Sequence, residues 1–89
     1  IRQNAAARRE QLKPLTQAIR SAEKKMDLLQ KNIQEKETLL ADPALYQQDP
    51  AKAQRTAQEV QKLRAELTCC EESWLASQEE LERLTAPDA

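Results

Sequence analysis

The chain contains no glycine and no histidine, and its only aromatic residues are Tyr46 and Trp74. The absence of glycine, together with a total of just four prolines, argues against a β-rich or loop-rich fold. No apolar run approaches the roughly 18 residues that a membrane-spanning helix needs, and no signal peptide is visible. The 89 residues therefore predict one small helical domain without a membrane partner.

The residues that usually carry catalysis or bind metals are also missing. There is no glycine-rich phosphate loop and no nucleophile placed beside a base. The two cysteines, Cys69 and Cys70, are neighbours whose side chains diverge by about 100° on a helix, so they cannot bridge each other there. Without histidine or a Cys-x-x-Cys spacing, a zinc site is not expected. We predict no catalytic, cofactor or metal site in this chain, and free thiols that suit a reducing, cytoplasmic setting.

What the sequence does contain is two heptad stretches, in which apolar residues at alternating spacings of three and four form a seam. The first seam comprises Leu12, Leu15, Ile19, Ala22, Met26, Leu29, Ile33 and Leu40, with Lys36 as its polar exception. The second comprises Val60, Leu63, Leu67, Cys70, Trp74, Leu81 and Leu84, with Ser77 as its polar exception. Each seam must be buried, and the nearest partner is the other one. We therefore predict an all-α fold, a two-helix antiparallel coiled-coil hairpin, as a monomer or weak homodimer.

Prolines set the predicted boundaries of this hairpin. Pro14 removes a helical hydrogen bond and clashes with the carbonyl of Glu10, so we expect a kink or break over residues 11–14. Asp42-Pro43 and Asp49-Pro50 each predict a helix start, because Asp is a good N-cap and Pro suits the first helical position. The predicted order is a helical lead-in or linker (1–13), a coiled-coil domain (14–86) and a tail (87–89). Within the domain we expect helix 14–40, turn 41–49 and helix 50–85.

The register between the two seams has two solutions. One places Ala22 opposite Trp74, a small residue facing a large one. The other places Leu15 near Trp74 and brings Lys25 towards Glu66 and Glu23 towards Arg64. We slightly favour the second, because it needs only an eight-residue turn and pairs opposite charges. In both, Trp74 is interpreted as a buried anchor of the seam.

The net charge of −1 conceals an asymmetry along the chain. Residues 1–36 carry nine basic residues against four acidic ones, whereas residues 66–89 carry one basic residue against seven acidic ones. The leading interpretation is charge pairing between the two helices, and the alternative is a basic stripe that meets an anionic partner. Lys24 and Lys31 share a helix face, and phosphate contacts need positive charge but no order of bases. The candidate nucleic-acid-binding residues are Lys24, Lys31, Lys52, Arg55, Lys62, Arg64 and Tyr46.

The turn is the most specific stretch of the sequence. Residues 39–52 read LLADPALYQQDPAK and are followed by a heptad helix with a late Trp74 and the run Glu79-Glu80-Leu81-Glu82. Over residues 10–86 this pattern resembles the C-terminal coiled-coil domain of ABC-F ATPases, which are soluble twin-cassette ATP-binding proteins. The resemblance implies a parent protein that hydrolyses ATP, with Mg, in two upstream cassettes and acts on or near the ribosome. It also implies an arm that binds DNA or RNA, such as ribosomal RNA or tRNA, weakly and without sequence preference.

None of the cassette motifs lies in this chain, so we do not expect it to be an enzyme by itself.

Two other interpretations of the chain's function remain open. The C-terminal arm of valyl-tRNA synthetases is similar, being an antiparallel hairpin with an Asn-Pro-x-Phe turn, but here the turn carries Asp-Pro and Tyr46. Trp74 also fits the ABC-F pattern better than the synthetase pattern. The third reading is a structural spacer or dimerisation coiled coil with no nucleic-acid partner.

Overall fold

The computed structural model describes the backbone of residues 2–86 and the side chains of residues 5–86. It contains three helices: α1 (Arg2–Leu40), α2 (Pro43–Gln48) and α3 (Pro50–Thr85). No strand occurs within this range, so the all-α prediction is confirmed for the described residues. No helix in this range is long and apolar enough to cross a membrane. The predicted tail over residues 87–89 lies outside the described part of the chain.

Helix α1 continues through Pro14, so of the predicted kink or break over residues 11–14 the break does not occur. Pro14 has no N–H, which leaves the Glu10 carbonyl without its usual helical donor. One missing hydrogen bond is tolerated because Leu12 and Leu15, on either side of the proline, are both half-buried in the seam. Just beyond the proline, Thr16 Oγ1 donates a hydrogen bond of 3.0 Å to the Leu12 carbonyl. Packing of the two leucines on one face therefore outweighs the tendency of Pro14 to interrupt the helix.

Both predicted N-caps are present. The Asp42 carboxylate accepts a hydrogen bond of 3.0 Å from the Ala44 amide and caps α2. The Asp49 carboxylate accepts one of 3.1 Å from the Lys52 amide and caps α3. The Asp49 amide also donates to the Leu45 carbonyl at 2.8 Å, which closes the end of α2. Asp49 therefore ends one helix and starts the next, so the chain turns between α2 and α3 at a single residue.

Polar contacts join α1 to α3 at three levels. Lys36 Nζ lies 2.7 Å from Glu59 Oε2, and Arg64 forms an ion pair with Glu37. Farther from the turn, the Trp74 indole N–H donates to Glu23 Oε1 at 3.3 Å. Residue numbers fall along α1 as they rise along α3 in these contacts. The molecule is correspondingly slender, with principal extents of 69 × 20 × 14 Å.

These contacts decide between the two registers. Trp74 lies at the level of Glu23, beside Ala22, so the favoured second register is wrong and the first applies. Arg64 pairs with Glu37 instead of Glu23. Because Lys36 is level with Glu59, even spacing places Leu40 near Thr56. Helix α3 therefore begins about one and a half turns beyond the end of α1, and α2 contacts both helices there.

The core follows the predicted seams. Every seam residue of both stretches is buried or half-buried, including the polar exceptions Lys36 and Ser77. The deepest positions of α1 are Ile19, Leu29 and Ile33. Helix α3 contributes Val60 and two residues that the seam prediction omitted, Ala53 and Thr56. The last two continue the same heptad spacing towards the turn, where α3 extends beyond α1 and contacts α2.

Trp74 is a seam residue but not a fully buried one. Its side chain is half-buried, and its N–H reaches the exposed carboxylate of Glu23. The predicted burial of Trp74 at the seam is therefore only partial. The reason is the size of the indole, which in a two-helix structure has only one opposing helix to cover it.

Candidate functional site

The interhelical ion pairs lie in the half of the molecule near the turn. The Lys36 ammonium donates a hydrogen bond to Glu59, and this bond, together with the charge of Lys36, lowers the pKa of the Glu59 carboxyl. The charges of Arg55 and Lys62 lower the pKa of Glu59 further. In the second ion pair, the Arg64 guanidinium donates a hydrogen bond to the Glu37 carboxylate. Arg64 therefore has an anionic partner already, which distinguishes it from the other candidate nucleic-acid-binding residues.

Lys24 and Lys31 lie on the outer surface of α1, facing away from the seam. Both are exposed, and within residues 5–86 neither takes part in an ion pair. They are seven residues apart, so their ammonium groups lie about two helical turns from each other on one face. These two lysines keep the shared face that the sequence predicts.

The remaining candidates lie on α2 and α3. Lys52, Arg55 and Lys62 are exposed on α3, and no ion pair holds them within the described range. Arg55 and Lys62 are seven residues apart and share a face of α3. Tyr46, on α2, keeps 52% of its surface exposed, so its ring is open to solvent at the turn. The candidate set is thus divided between the outer face of α1 and the turn-proximal half of α3.

Among residues 5–86, the half away from the turn shows no ion pair between the basic first segment and the acidic last segment, so the predicted pairing does not form there. Across residues 5–86, the ion pairs between α1 and α3 are Lys36–Glu59 and Glu37–Arg64. The acidic stretch forms one further pair within α3, where Arg83 Nε donates to Glu80 at 2.9 Å. This bond lowers the pKa of the Glu80 carboxyl and raises the pKa of the Arg83 guanidinium. The two helices therefore present their opposite charges to solvent, because most of these charges lie away from the seam.

The profile of the ABC transporter C-terminal domain matches residues 8–79, which is most of the chain. The chain belongs to this family. The match begins before Pro14, so the family profile includes part of the segment ahead of the proline. This agrees with the unbroken α1 of this ABC transporter C-terminal domain. No curated protein and no solved structure matches the chain at a significant level.

Two shallow grooves follow one side of this ABC transporter C-terminal domain, between α1 and α3. The larger has a volume of about 400 Å³, and its lining includes Lys25, Glu66 and both cysteines. Its neighbour, of about 340 Å³, is lined in part by Asn32, Lys62 and again Glu66. Cys69 is exposed and Cys70 half-buried, and both thiols are free. Among the described residues, no three His, Cys, Asp or Glu side chains come together in a way that would hold a metal ion.

The sequence prediction missed these grooves, because it considered the two seams but not the positions beside them. For Lys25 the sequence predicts only a charge pair with Glu66. In the structure both residues line the larger groove, and neither forms an ion pair with any side chain of residues 5–86. The 3–4 spacing contains the signal that was overlooked, since residues next to a seam must line the space between the helices. The lining carries both charged and thiol groups.

Proposed function

We propose that this chain is the C-terminal accessory arm of a soluble ABC-F type ATPase and that it binds nucleic acid weakly, without sequence preference. In this proposal α1 and α3 act as an intramolecular antiparallel coiled coil, closed at one end by α2. The parent protein hydrolyses ATP, with Mg, in cassettes outside this chain, and works in the cytoplasm on or near the ribosome. The arm itself contributes binding and no catalysis.

Membership of the ABC transporter C-terminal domain family supports the connection to an ABC protein, and it favours this reading over a valyl-tRNA synthetase arm. The narrower assignment to ABC-F proteins rests on the turn and on the late tryptophan. The turn keeps both Asp-Pro starts as working N-caps, at Asp42 and Asp49. Tyr46 is exposed at the turn, and Trp74 occupies the seam.

The observation that carries the nucleic-acid proposal is a set of exposed cations that lie outside the ion pairs of the described residues. Lys24 and Lys31 on α1, and Lys52, Arg55 and Lys62 on α3, form no ion pair within residues 5–86. Such cations attract phosphate and release its counterions, a contribution that does not depend on base sequence. Tyr46 offers an exposed ring on which an unpaired base can stack. The acidic end of α3 opposes this attraction, so we expect weak binding.

The test is titration of labelled duplex DNA and of structured RNA with the chain at low salt. We expect a dissociation constant no tighter than about micromolar at physiological salt, because only some three or four phosphate contacts are available. The affinity should fall as salt rises, with a log–log slope near −0.9 per contact on duplex DNA. Random and natural sequences should bind alike, because phosphates carry no sequence information.

Two charge-reversal variants locate the interface. Lys24→Glu with Lys31→Glu tests the face of α1, and Arg55→Glu with Lys62→Glu tests the turn-proximal face of α3. The matched control is Lys13→Glu with Arg20→Glu, an exposed pair on α1 with the same spacing and the same charge change. Weaker binding in a test variant than in the control supports a defined interface. If the control weakens binding equally, attraction to overall charge explains it, and if nothing binds at about 50 mM salt the spacer function replaces this proposal.

A further inference from the structure

Two of the most exposed leucines lie on opposite outer surfaces of the molecule, and each is flanked by charges of one sign. Leu28 on α1 is 67% exposed, and Leu75 on α3 is 51% exposed. Leu28 lies between Lys24 and Lys31, which we call together the lysine stripe. Leu75 lies between Glu72 and Glu79, which we call the glutamate stripe. All four charged residues are exposed and form no ion pair within residues 5–86.

Each stripe occupies a single helix face. The members of the lysine stripe are separated by four and then three residues, and those of the glutamate stripe by three and then four. Both spacings bring side chains to the same side of a helix. Because one order is the reverse of the other, the stripes match position for position when the two helices run antiparallel.

We propose that α1 of one copy packs antiparallel against α3 of a second copy of this chain through these two stripes. Leu28 meets Leu75 at the centre, Lys24 faces Glu79, and Lys31 faces Glu72. Each stripe has two like charges, one on either side of its leucine, and the other stripe has the opposite charges at the matching positions. This charge complementarity is the reason to choose a second copy of the chain as the partner of each stripe. The same alignment places Glu35 opposite Thr68 and Ser21 opposite Glu82, so the next position at each end of the two stripes adds no repulsion between like charges.

A single copy cannot satisfy this contact internally, because α1 and α3 already face each other through their seams. Each copy carries one lysine stripe and one glutamate stripe, on different helices. After two copies have met, one stripe of each kind remains free, so the contact is heterologous and does not close. Association is therefore expected to grow with concentration beyond a dimer. It is also expected to be weak and salt-sensitive, because one leucine contact and two exposed ion pairs carry it.

The experiment is analytical ultracentrifugation of the 89-residue chain without nucleic acid, at about 50 mM and about 500 mM salt. We expect the average mass to rise with protein concentration at the lower salt, and much less at the higher. Lys24→Glu with Lys31→Glu, and separately Glu72→Lys with Glu79→Lys, should each weaken association by about tenfold or more. Mixing the two variants, or combining all four changes in one chain, should restore association. Lys52→Glu with Arg55→Glu, an exposed pair near the turn that changes the net charge equally and lies away from both stripes, should leave it intact.

Circular dichroism verifies that each variant remains helical, and Leu28→Ala and Leu75→Ala test the centre of the contact without changing charge. A chain that stays monomeric at low salt up to about millimolar concentration overturns the proposal. So does association that survives both charge reversals, or that the combined variant fails to restore. This inference does not rest on nucleic-acid binding, and its measurement contains none. If both proposals hold, nucleic acid should dissociate the copies, because Lys24 and Lys31 serve both contacts.

Discussion

At the scale of single residues, Trp74 combines an apolar ring in the seam with a hydrogen bond at its edge. Its half-burial means that Trp74→Ala should lower the free energy of unfolding by about 2 kcal/mol, below the 3–5 kcal/mol of a fully buried site. Trp74→Phe keeps most of the apolar contact and loses only the exposed bond to Glu23, so it should cost less than the alanine variant. Urea unfolding followed by circular dichroism measures both. A loss of less than about 0.5 kcal/mol in the alanine variant would contradict a role for the ring in the seam.

The ion pair of Glu59 predicts a defined pH dependence. The pKa of Glu59 is below its ordinary value of 4.5, first because Lys36 donates a hydrogen bond to it. A carboxyl with a lowered pKa stabilises the fold above its unfolded pKa, and this stabilisation is lost as the pH falls through the folded pKa. Lys36→Met should therefore raise the Glu59 pKa towards 4.5, as measured by NMR titration of the carboxyl carbon. The Glu80 pKa is an internal control, because Arg83 lowers it and Lys36 does not. An unchanged Glu59 pKa in the variant would show that the pair does not form in solution.

At the scale of whole elements, the Asp49 cap connects the turn to the return helix. Asp49→Ala removes the acceptor for the Lys52 amide and should destabilise the fold by about 1 kcal/mol. Asp49→Asn keeps a capping side chain and is the matched control, with a smaller loss. Asp42→Ala removes the cap of the much shorter α2, so it should cost less than Asp49→Ala. Thermal unfolding of the three variants gives the order, and equal stability of wild type and Asp49→Ala would exclude a capping contribution.

The sequence allowed the helices, their caps and their buried faces to be predicted, because spacing and capping residues are local signals. It did not allow the continuity of α1 to be predicted, since tertiary packing of Leu12 and Leu15 overrides the local effect of Pro14. The register was also missed. Equivalent heptads differ little in apolar content, and exposed charge pairs such as Glu23–Arg64 are too weak to select one. The offset of α3 past the end of α1 accompanies the contacts of α2 with both helices, which are tertiary and have no local signal in the sequence.

The candidate site shows the same limit. Exposure of Lys24 and Lys31 could be anticipated, because both fall opposite the seam in the heptad. The partner of Arg64 could not, because it depends on the register. The two grooves likewise depend on how α1 and α3 pack against each other, and so do the exposed charges in the half of the molecule away from the turn. Phosphate attraction and self-association both remain predictions that the heptad position of these lysines makes possible.

At the scale of the whole molecule, overall size tests whether α1 and α3 stay together in one chain. The described Cα atoms have a radius of gyration of 20.0 Å. A single uninterrupted helix of some 80 residues would be about 120 Å long, with a radius of gyration of roughly 35 Å. Small-angle X-ray scattering at about 500 mM salt, extrapolated to zero concentration, suppresses association and separates these shapes. We expect a value slightly above 20 Å with the mass of one chain, because solvent and side chains add to the Cα value. A radius near 35 Å, or a doubled mass that persists on dilution, would show that the seams pair between chains instead of within one.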